Sequence, residues 1–188
     1  MFKDEARKSL LQKRQSLSQM ECIKWDDLLL IQFQKLDFSN IHTIGSFYPM
    51  EKHNEPNTIL LTSYLQQFIP DLIIAYPVMD KVLGTMQFYE ATPDLHVNSL
   101  GIYEPHQTNS ISSSDIDCFL VPLLGFDLLG HRLGFGKGYY DKYFSTCHHP
   151  HQRIGISYFD PIPNIQDTHE FDVPLTHCIT PWNSYEFK

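Results

Sequence analysis

Apolar residues change their spacing from one segment to the next, and the changes predict helices alternating with strands. Residues 2–15 have helical composition, and Lys3, Arg7 and Arg14 recur at spacings of four and seven, which sets them along one helix face. A basic stripe of that kind ordinarily faces solvent. Ser18-x-x-Glu21 reads as a capping box ahead of a second helix, whose Trp25, Leu28, Leu29, Ile31 and Phe33 pack against a sheet. Residues 41–48 mix β-branched and aromatic side chains and stop at Pro49, as a strand does. A polar loop over 49–58 follows, and Thr58 is placed to cap a helix over 59–68.

The run 71–77 is almost continuously apolar, which suits a parallel strand covered on both faces. Further strands are expected over 86–91, after a turn at Leu83-Gly84, then over 118–124, over 153–159 and within 171–180, with a Ser-rich loop at 109–115. Strands alternating with helices predict an α/β fold, a three-layer α/β/α sandwich around a mostly parallel sheet. At 188 residues and 42% hydrophobic, with no Pro/Gly/Ser linker, residues 1–188 read as a single domain.

The formal charge of −8 argues against nonspecific nucleic-acid binding, so any polyanion site has to be small and local. The charged start of the chain resembles neither a secretory signal nor a membrane span, and a cytoplasmic protein is expected. Cys22, Cys118, Cys147 and Cys178 are widely spaced and read as reduced thiols. Cys147, His148, His149 and His151 crowd beside Pro150 in a way that suits tetrahedral metal binding poorly. The chain has no Gly-x-Ser-x-Gly elbow to suggest a serine hydrolase.

Candidate chemistry concentrates between residues 122 and 144. Gly130, Gly134, Gly136 and Gly138 stand beside Arg132, Lys137 and Asp141, directly after an apolar strand and before a helix expected to begin near Gly138. Closely spaced glycines let backbone N–H groups converge on an anion, and the two cations add mobile positive charge. A carboxylate such as Asp141 belongs next to phosphate when a metal ion lies between them, so the combination suggests a nucleotide with magnesium. The spacing matches neither familiar phosphate loop: His131 stands at the first Walker A glycine, and Tyr139 at the third glycine of the dinucleotide fingerprint. From spacing alone, an anion-binding loop and a structural turn both stay open.

The ordered run Gly125-Phe126-Asp127, then Gly130-x-Arg132-Leu133-Gly134-x-Gly136-x-Gly138-Tyr139-Tyr140-Asp141, resembles the signature of the 5-formyltetrahydrofolate cyclo-ligases. The resemblance implies an α/β sandwich with a cleft across the strand ends, and conversion of 5-formyltetrahydrofolate to 5,10-methenyltetrahydrofolate using ATP and Mg²⁺. It implies that Lys3 and Arg7 reach the ATP phosphates. The cradle for ATP would run through Arg132, Leu133, Gly134, Phe135, Gly136, Lys137, Gly138, Tyr139 and Tyr140. Arg132 and Asp141 would be catalytic, with Asp141 the metal ligand, and Lys137 joins them as catalytic from its charge and place on the turn. Glu55 would anchor the pterin, and Tyr48, Phe135 and Tyr139 would complete the folate side. Residues 100–105 resemble a Gly-Ile-x-Glu-Pro element that walls the cleft. The partners implied are a small-molecule folate and ATP, with neither nucleic acid nor membrane, acting on a monomer.

Two positions depart from the family pattern. Asn57 stands where Glu-x-Asp-Thr has Asp, and Thr176 stands where Asp-Val-Pro-x-Asp ends in a carboxylate that can assist the metal.

Overall fold

The computed structural model describes residues 1–98, 101–106 and 109–187; Leu100, the first residue of the 100–105 element, lies outside them. Helices α1 (Lys3–Gln15) and α2 (Gln19–Phe33) precede strand β1 (Thr43–Gly45), helix α3 (Thr58–Phe68) and strands β2 (Ile73–Asp80) and β3 (Thr85–Glu90). The short strands β4 (Leu95–Val97), β5 (Tyr103–Pro105) and β6 (Ser110–Ile111) follow. After them come β7 (Cys118–Pro122), β8 (Gly125–Phe126), β9 (Arg132–Leu133), helix α4 (Tyr139–Ser145), β10 (Gln152–Ile156), β11 (His177–Ile179) and β12 (Ser184–Glu186).

Local chemistry accounts for several boundaries. The Ser18 side chain accepts from Glu21 N–H at 3.3 Å while Glu21 Oε2 accepts from Ser18 N–H at 2.8 Å, so the capping box starts α2 as expected. For α3 the cap is one residue earlier than expected: Asn57 Oδ1 accepts from Leu60 N–H at 3.3 Å. Thr58 instead sits in the first turn and donates its hydroxyl to Phe47 O at 2.5 Å. Asn57, a departure from the family pattern, thus keeps the capping ability that Asp would have. Between β2 and β3 the Asp80 carboxylate accepts from Val82 and Leu83 N–H, and Gly84 takes φ +63°, which closes the turn.

Eight strands form the main sheet in the order β12-β11-β10-β7-β1-β2-β3-β6. The five from β11 to β2 run parallel, while β12, β3 and β6 add antiparallel margins. The mostly parallel sheet is therefore present, with two strands that the pattern did not announce. β6 lies inside the expected Ser-rich loop, and β12 follows the last expected strand.

Side chains alternate across β7. Cys118 and Leu120 join one core with Ala6 and Leu10 of α1, Leu29 and Phe33 of α2, and Leu61 and Leu65 of α3. Phe119 and Val121 point the other way, into a second core closed by Tyr143 and Phe144 of α4. Helices thus cover both faces. A Cβ on Gly45 would come within 2.6 Å of the Phe119 ring and 2.9 Å of the Phe88 ring. Gly45→Ala is therefore expected to cost about 1–3 kcal/mol through overpacking, read as a lower urea midpoint at unchanged slope.

The chain runs outward from β1 to β2 on one side and later to β7 on the other, so the strand order reverses between β1 and β7. In open α/β sheets ligands bind in the crevice beyond the strand ends at such a reversal. Here that crevice is a cleft.

Candidate active site

The cleft has a volume of about 410 Å³ and is lined by residues at the carboxyl ends of β1, β2 and β7. Phe47, Tyr48 and Met50 continue from β1, Pro77 and Met79 come from β2, and Pro122 ends β7. β1 is shorter than the expected 41–48 because the chain beyond Gly45 turns to form this wall. Tyr48 stacks on Tyr76 with ring centroids 3.9 Å apart, and Tyr103 of β5 approaches Tyr48 at 6.3 Å. Ile102 and Tyr103 line the cleft, while Glu104 is buried and accepts from Met79 N–H at 3.1 Å. Aromatic and aliphatic walls of this kind suit a flat heterocycle.

The opposite rim is polar and is built on Asp127. This carboxylate is fully buried; its Oδ1 accepts from Leu129 and His131 N–H at 3.0 Å each, and its Oδ2 accepts from Ile165 N–H at 3.2 Å. It folds residues 127–131 into the turn of the β8–β9 hairpin, a pair too short to show any periodicity in sequence. The Leu133 side chain is fully buried in the core, so at that position only the backbone reaches toward the rim. Gly136 and Gly138 take φ of +84° and +70°, conformations that favour glycine, and α4 starts directly after Gly138. Gly134 is different. Its φ is not left-handed, and a Cβ added there would meet nothing within 4 Å.

Among the residues singled out from sequence, Lys3, Arg7, Tyr48, Glu55, Arg132, Gly134, Phe135, Gly136, Lys137, Gly138, Tyr139, Tyr140 and Asp141 all line this one cleft. α1 brings its cations to the rim. Lys3 Nζ lies 2.5 Å from Asp172 Oδ2, and Arg7 Nε donates to Gly134 O at 3.0 Å. The solvated-stripe reading of α1 fails for two of its three cations, because Lys3 is 9% and Arg14 2% exposed. The stripe faces the cleft rim and the loop beside it. Arg14 is not among the cleft-lining residues.

Arg132 Nη2 pairs with Asp141 Oδ1 at 2.7 Å, and the same oxygen accepts from Val173 N–H at 3.1 Å. Arg132 Nη1 donates to Val173 O. Burial lowers the affinity of the Arg132 guanidinium for its proton, and Asp141 opposes the effect. For Asp172, burial pushes the pKa up, but the hydrogen bonds from Lys3 and from His169 N–H prevail and hold it below its ordinary value. Both rim carboxylates already face cations, Asp141 the Arg132 guanidinium and Asp172 the Lys3 ammonium.

Across the cleft Glu55 is buried. Its Oε2 accepts from Met50 N–H at 2.9 Å, and its Oε1 lies 3.6 Å from Arg14 Nη2. Burial raises the Glu55 pKa, opposed by Arg14 and the Met50 N–H. The buried Tyr140 hydroxyl has no hydrogen-bond partner, and burial followed by the nearby Glu55 raises its pKa.

No group of three or more His, Cys, Asp or Glu suited to a metal occurs among the described residues. Beside the glycine turn the carboxylates are Asp141 and Asp172. Two carboxylates fit Mg²⁺, which typically takes one or two together with water and substrate phosphate. Thr176 lies outside the cleft lining: its Oγ1 accepts from Arg153 N–H at 2.8 Å and donates to Arg153 O at 3.2 Å, which ties the residue to β10.

A family model described as the 5-formyltetrahydrofolate cyclo-ligase family matches residues 2–181. The chain belongs to the 5-formyltetrahydrofolate cyclo-ligase family. As an enzyme of that family it is similar to the cyclo-ligase of Mycoplasma pneumoniae, at 32% identity over 163 residues that cover 84% of this chain and 86% of the other. The mouse cyclo-ligase is 32% identical over 150 residues, covering 75% and 72% respectively. Among solved structures, an Aquifex aeolicus 5,10-methenyltetrahydrofolate synthetase superposes with a TM-score of 0.81 at 26% identity, covering 100% of this chain and 94% of that one. The M. pneumoniae synthetase gives 0.76 at 29%, covering 96% and 99%. Cyclo-ligase family membership agrees with the resemblance carried by residues 125–141. No helix among the described residues is long and apolar enough to cross a membrane.

Tyr103 lies in the element expected to wall the cleft and does line it beside Tyr48, although its side chain was given no role of its own. Met50, Pro77 and Met79 were likewise unassigned, because ordinary apolar residues carry no local sign that a sheet edge gathers them. Asp127 could have been found: it follows Gly125-Phe126 inside the signature, where an acidic residue between apolar neighbours needs partners.

Proposed function

We propose that this cyclo-ligase converts 5-formyltetrahydrofolate and ATP to 5,10-methenyltetrahydrofolate, ADP and phosphate. The observation that carries the nucleotide assignment is Gly134. Neither backbone conformation nor a neighbouring side chain calls for glycine there, so its missing Cβ is best explained by a ligand resting against the turn. Cations on two sides, Lys3 and Arg7 from α1 and Arg132 from β9, suit a polyphosphate, and exposed Lys137 adds charge on the turn itself. The backbone from Arg132 to Tyr140, Leu133 and Phe135 included, forms the cradle.

Glu55 takes the pterin at the other end. An ionised carboxylate accepts from the adjacent N–H donors of the ring, while Tyr48, Phe135 and Tyr139 pack on its face and edge. This placement sets the formyl oxygen toward the terminal phosphate. The amide oxygen is a poor leaving group, and the residues described serve to change that. The γ-phosphoryl group passes to the formyl oxygen as its bond to ADP breaks. N10 then attacks the formyl carbon, the C–O bond breaks with departure of phosphate, and loss of the N10 proton leaves the methenyl bridge. Positioning and charge neutralisation dominate such transfers, which fits a cleft with cations and glycine N–H groups and, among its described lining residues, no Ser, Thr or Cys.

Mg²⁺, when bound, neutralises charge on the phosphate oxygens. Asp141 is the residue to hold it, with Asp172 the second carboxylate near the turn. The same reading has the enzyme act as a cytoplasmic monomer on free folate and ATP, with no nucleic-acid or membrane partner.

Purified protein with 5-formyltetrahydrofolate and Mg²⁺ is expected to generate the methenyl chromophore when ATP is present and not when it is withheld. Absence of ATP-dependent product at ample enzyme concentration would reject the proposal.

A further inference from the structure

We infer that Arg14 is a positioning residue acting through Glu55: from behind the cleft wall its guanidinium holds the Glu55 carboxylate as an anion with one oxygen left for ligand N–H donors. The inference rests on the pterin role proposed for Glu55.

Arg14 is locked in place. Its Nε donates to His53 O at 2.8 Å and its Nη1 to Leu123 O at 2.9 Å, which ties α1 both to the Glu55 loop and to the chain beyond β7. The remaining nitrogen, Nη2, points at Glu55 Oε1 across 3.6 Å, too far for a hydrogen bond, and neither atom has a hydrogen-bond partner. Each side chain is 3% exposed. A pair built for stability closes to a bidentate contact near 2.8 Å, because an open buried pair carries the desolvation cost of two charges without the full return. Here the contact stays open on the oxygen of a cleft-lining residue. Glu55, a cleft-lining residue, thus keeps unused acceptor capacity on a buried oxygen, while Arg14 itself lies behind the lining.

The other titratable groups facing the pair are neutral near pH 7. Tyr140 of α4 faces Glu55, and burial raises its pKa. Cys22 of α2 and Tyr158 after β10 face Arg14, and burial raises both of theirs. Burial also lowers that of His53, on the same loop as Glu55. The charge set against Glu55 is therefore that of Arg14. Burial already lifts the Glu55 pKa above its ordinary 4.5, and Arg14 acts against that lift. Removing the cation raises it further, so Glu55 protonates at a higher pH and loses acceptor strength.

The test compares Arg14→Gln and Arg14→Lys with the unaltered enzyme. Arg14→Gln is expected to raise the KM for 5-formyltetrahydrofolate about tenfold at pH 7, with the KM for ATP within about twofold. The folate KM of this variant climbs further as pH falls and recovers as pH rises, and Arg14→Lys restores most of the loss. A second reading needs no turnover. The ¹³C carboxyl resonance of Glu55, assigned by its loss in Glu55→Gln, titrates at higher pH in Arg14→Gln than in the unaltered chain, and returns toward it in Arg14→Lys. An unmoved Glu55 titration overturns the inference, as does a folate KM that rises only in step with the ATP KM. Should the unaltered protein make no methenyl product, the proposed reaction fails, and the carboxyl titration still decides whether Arg14 holds Glu55 ionised.

Discussion

Asp141→Asn is expected to lower turnover about a hundredfold or more, about 2.7 kcal/mol of transition-state stabilisation, with little change in the KM for folate. Asn keeps the shape of the side chain and one oxygen able to accept from Arg132 Nη2 and Val173 N–H, the two donors that Asp141 Oδ1 serves. The rim should therefore stay folded. What disappears is the negative charge beside the glycine turn, and with it the carboxylate proposed to hold a divalent ion. A steeper dependence of the residual rate on Mg²⁺ concentration would accompany the loss. Full activity at low Mg²⁺ would show that Asp141 serves only to orient Arg132.

Arg132→Ala comes next in expected size, and its effect is divided between chemistry and stability. The guanidinium pairs with Asp141, donates to Val173 O and lies 5.4 Å from the Phe144 ring centroid, with its side chain 6% exposed. Truncation leaves Asp141 and a backbone carbonyl short of partners, for a stability loss of about 1–3 kcal/mol that lowers the thermal midpoint while the fold persists. kcat/KM for ATP is expected to fall about a hundredfold or more, with the folate KM changed far less. Arg132→Lys separates the two effects, since it keeps the charge and gives up the planar fork that bridges Asp141 and Val173. If both variants handle ATP as the unaltered enzyme does, the phosphates lie elsewhere.

Features that depend on near neighbours in sequence were legible before the structure. The Ser18–Glu21 box, the apolar run at β7 and the glycine turn ahead of α4 each state their geometry within a few residues. Features set by what lies across a gap were not. Spacing placed Lys3, Arg7 and Arg14 on one helix face, but whether that face met water or a cleft depended on residues more than a hundred positions away: Leu123, Gly134 and Asp172. Thr58 looked like the cap of α3 because Asn57 and Thr58 both favour caps, and only the Phe47 carbonyl reserves the threonine hydroxyl for another partner. The two-residue strands β6, β8 and β9 have no period to detect. Thr176 stood out in sequence as the position that lacks the family's carboxylate, but its tie to Arg153 across the sheet could not be read there.

The most direct measurement is the structure of the enzyme with a non-hydrolysable ATP analogue, Mg²⁺ and 5-formyltetrahydrofolate. The account predicts phosphate oxygens against the backbone of Gly134 to Gly138 and beside Lys3, Arg7 and Arg132, with the pterin on Glu55 and the formyl oxygen facing the terminal phosphate. A triphosphate bound away from that turn, or a pterin out of reach of Glu55, would contradict it.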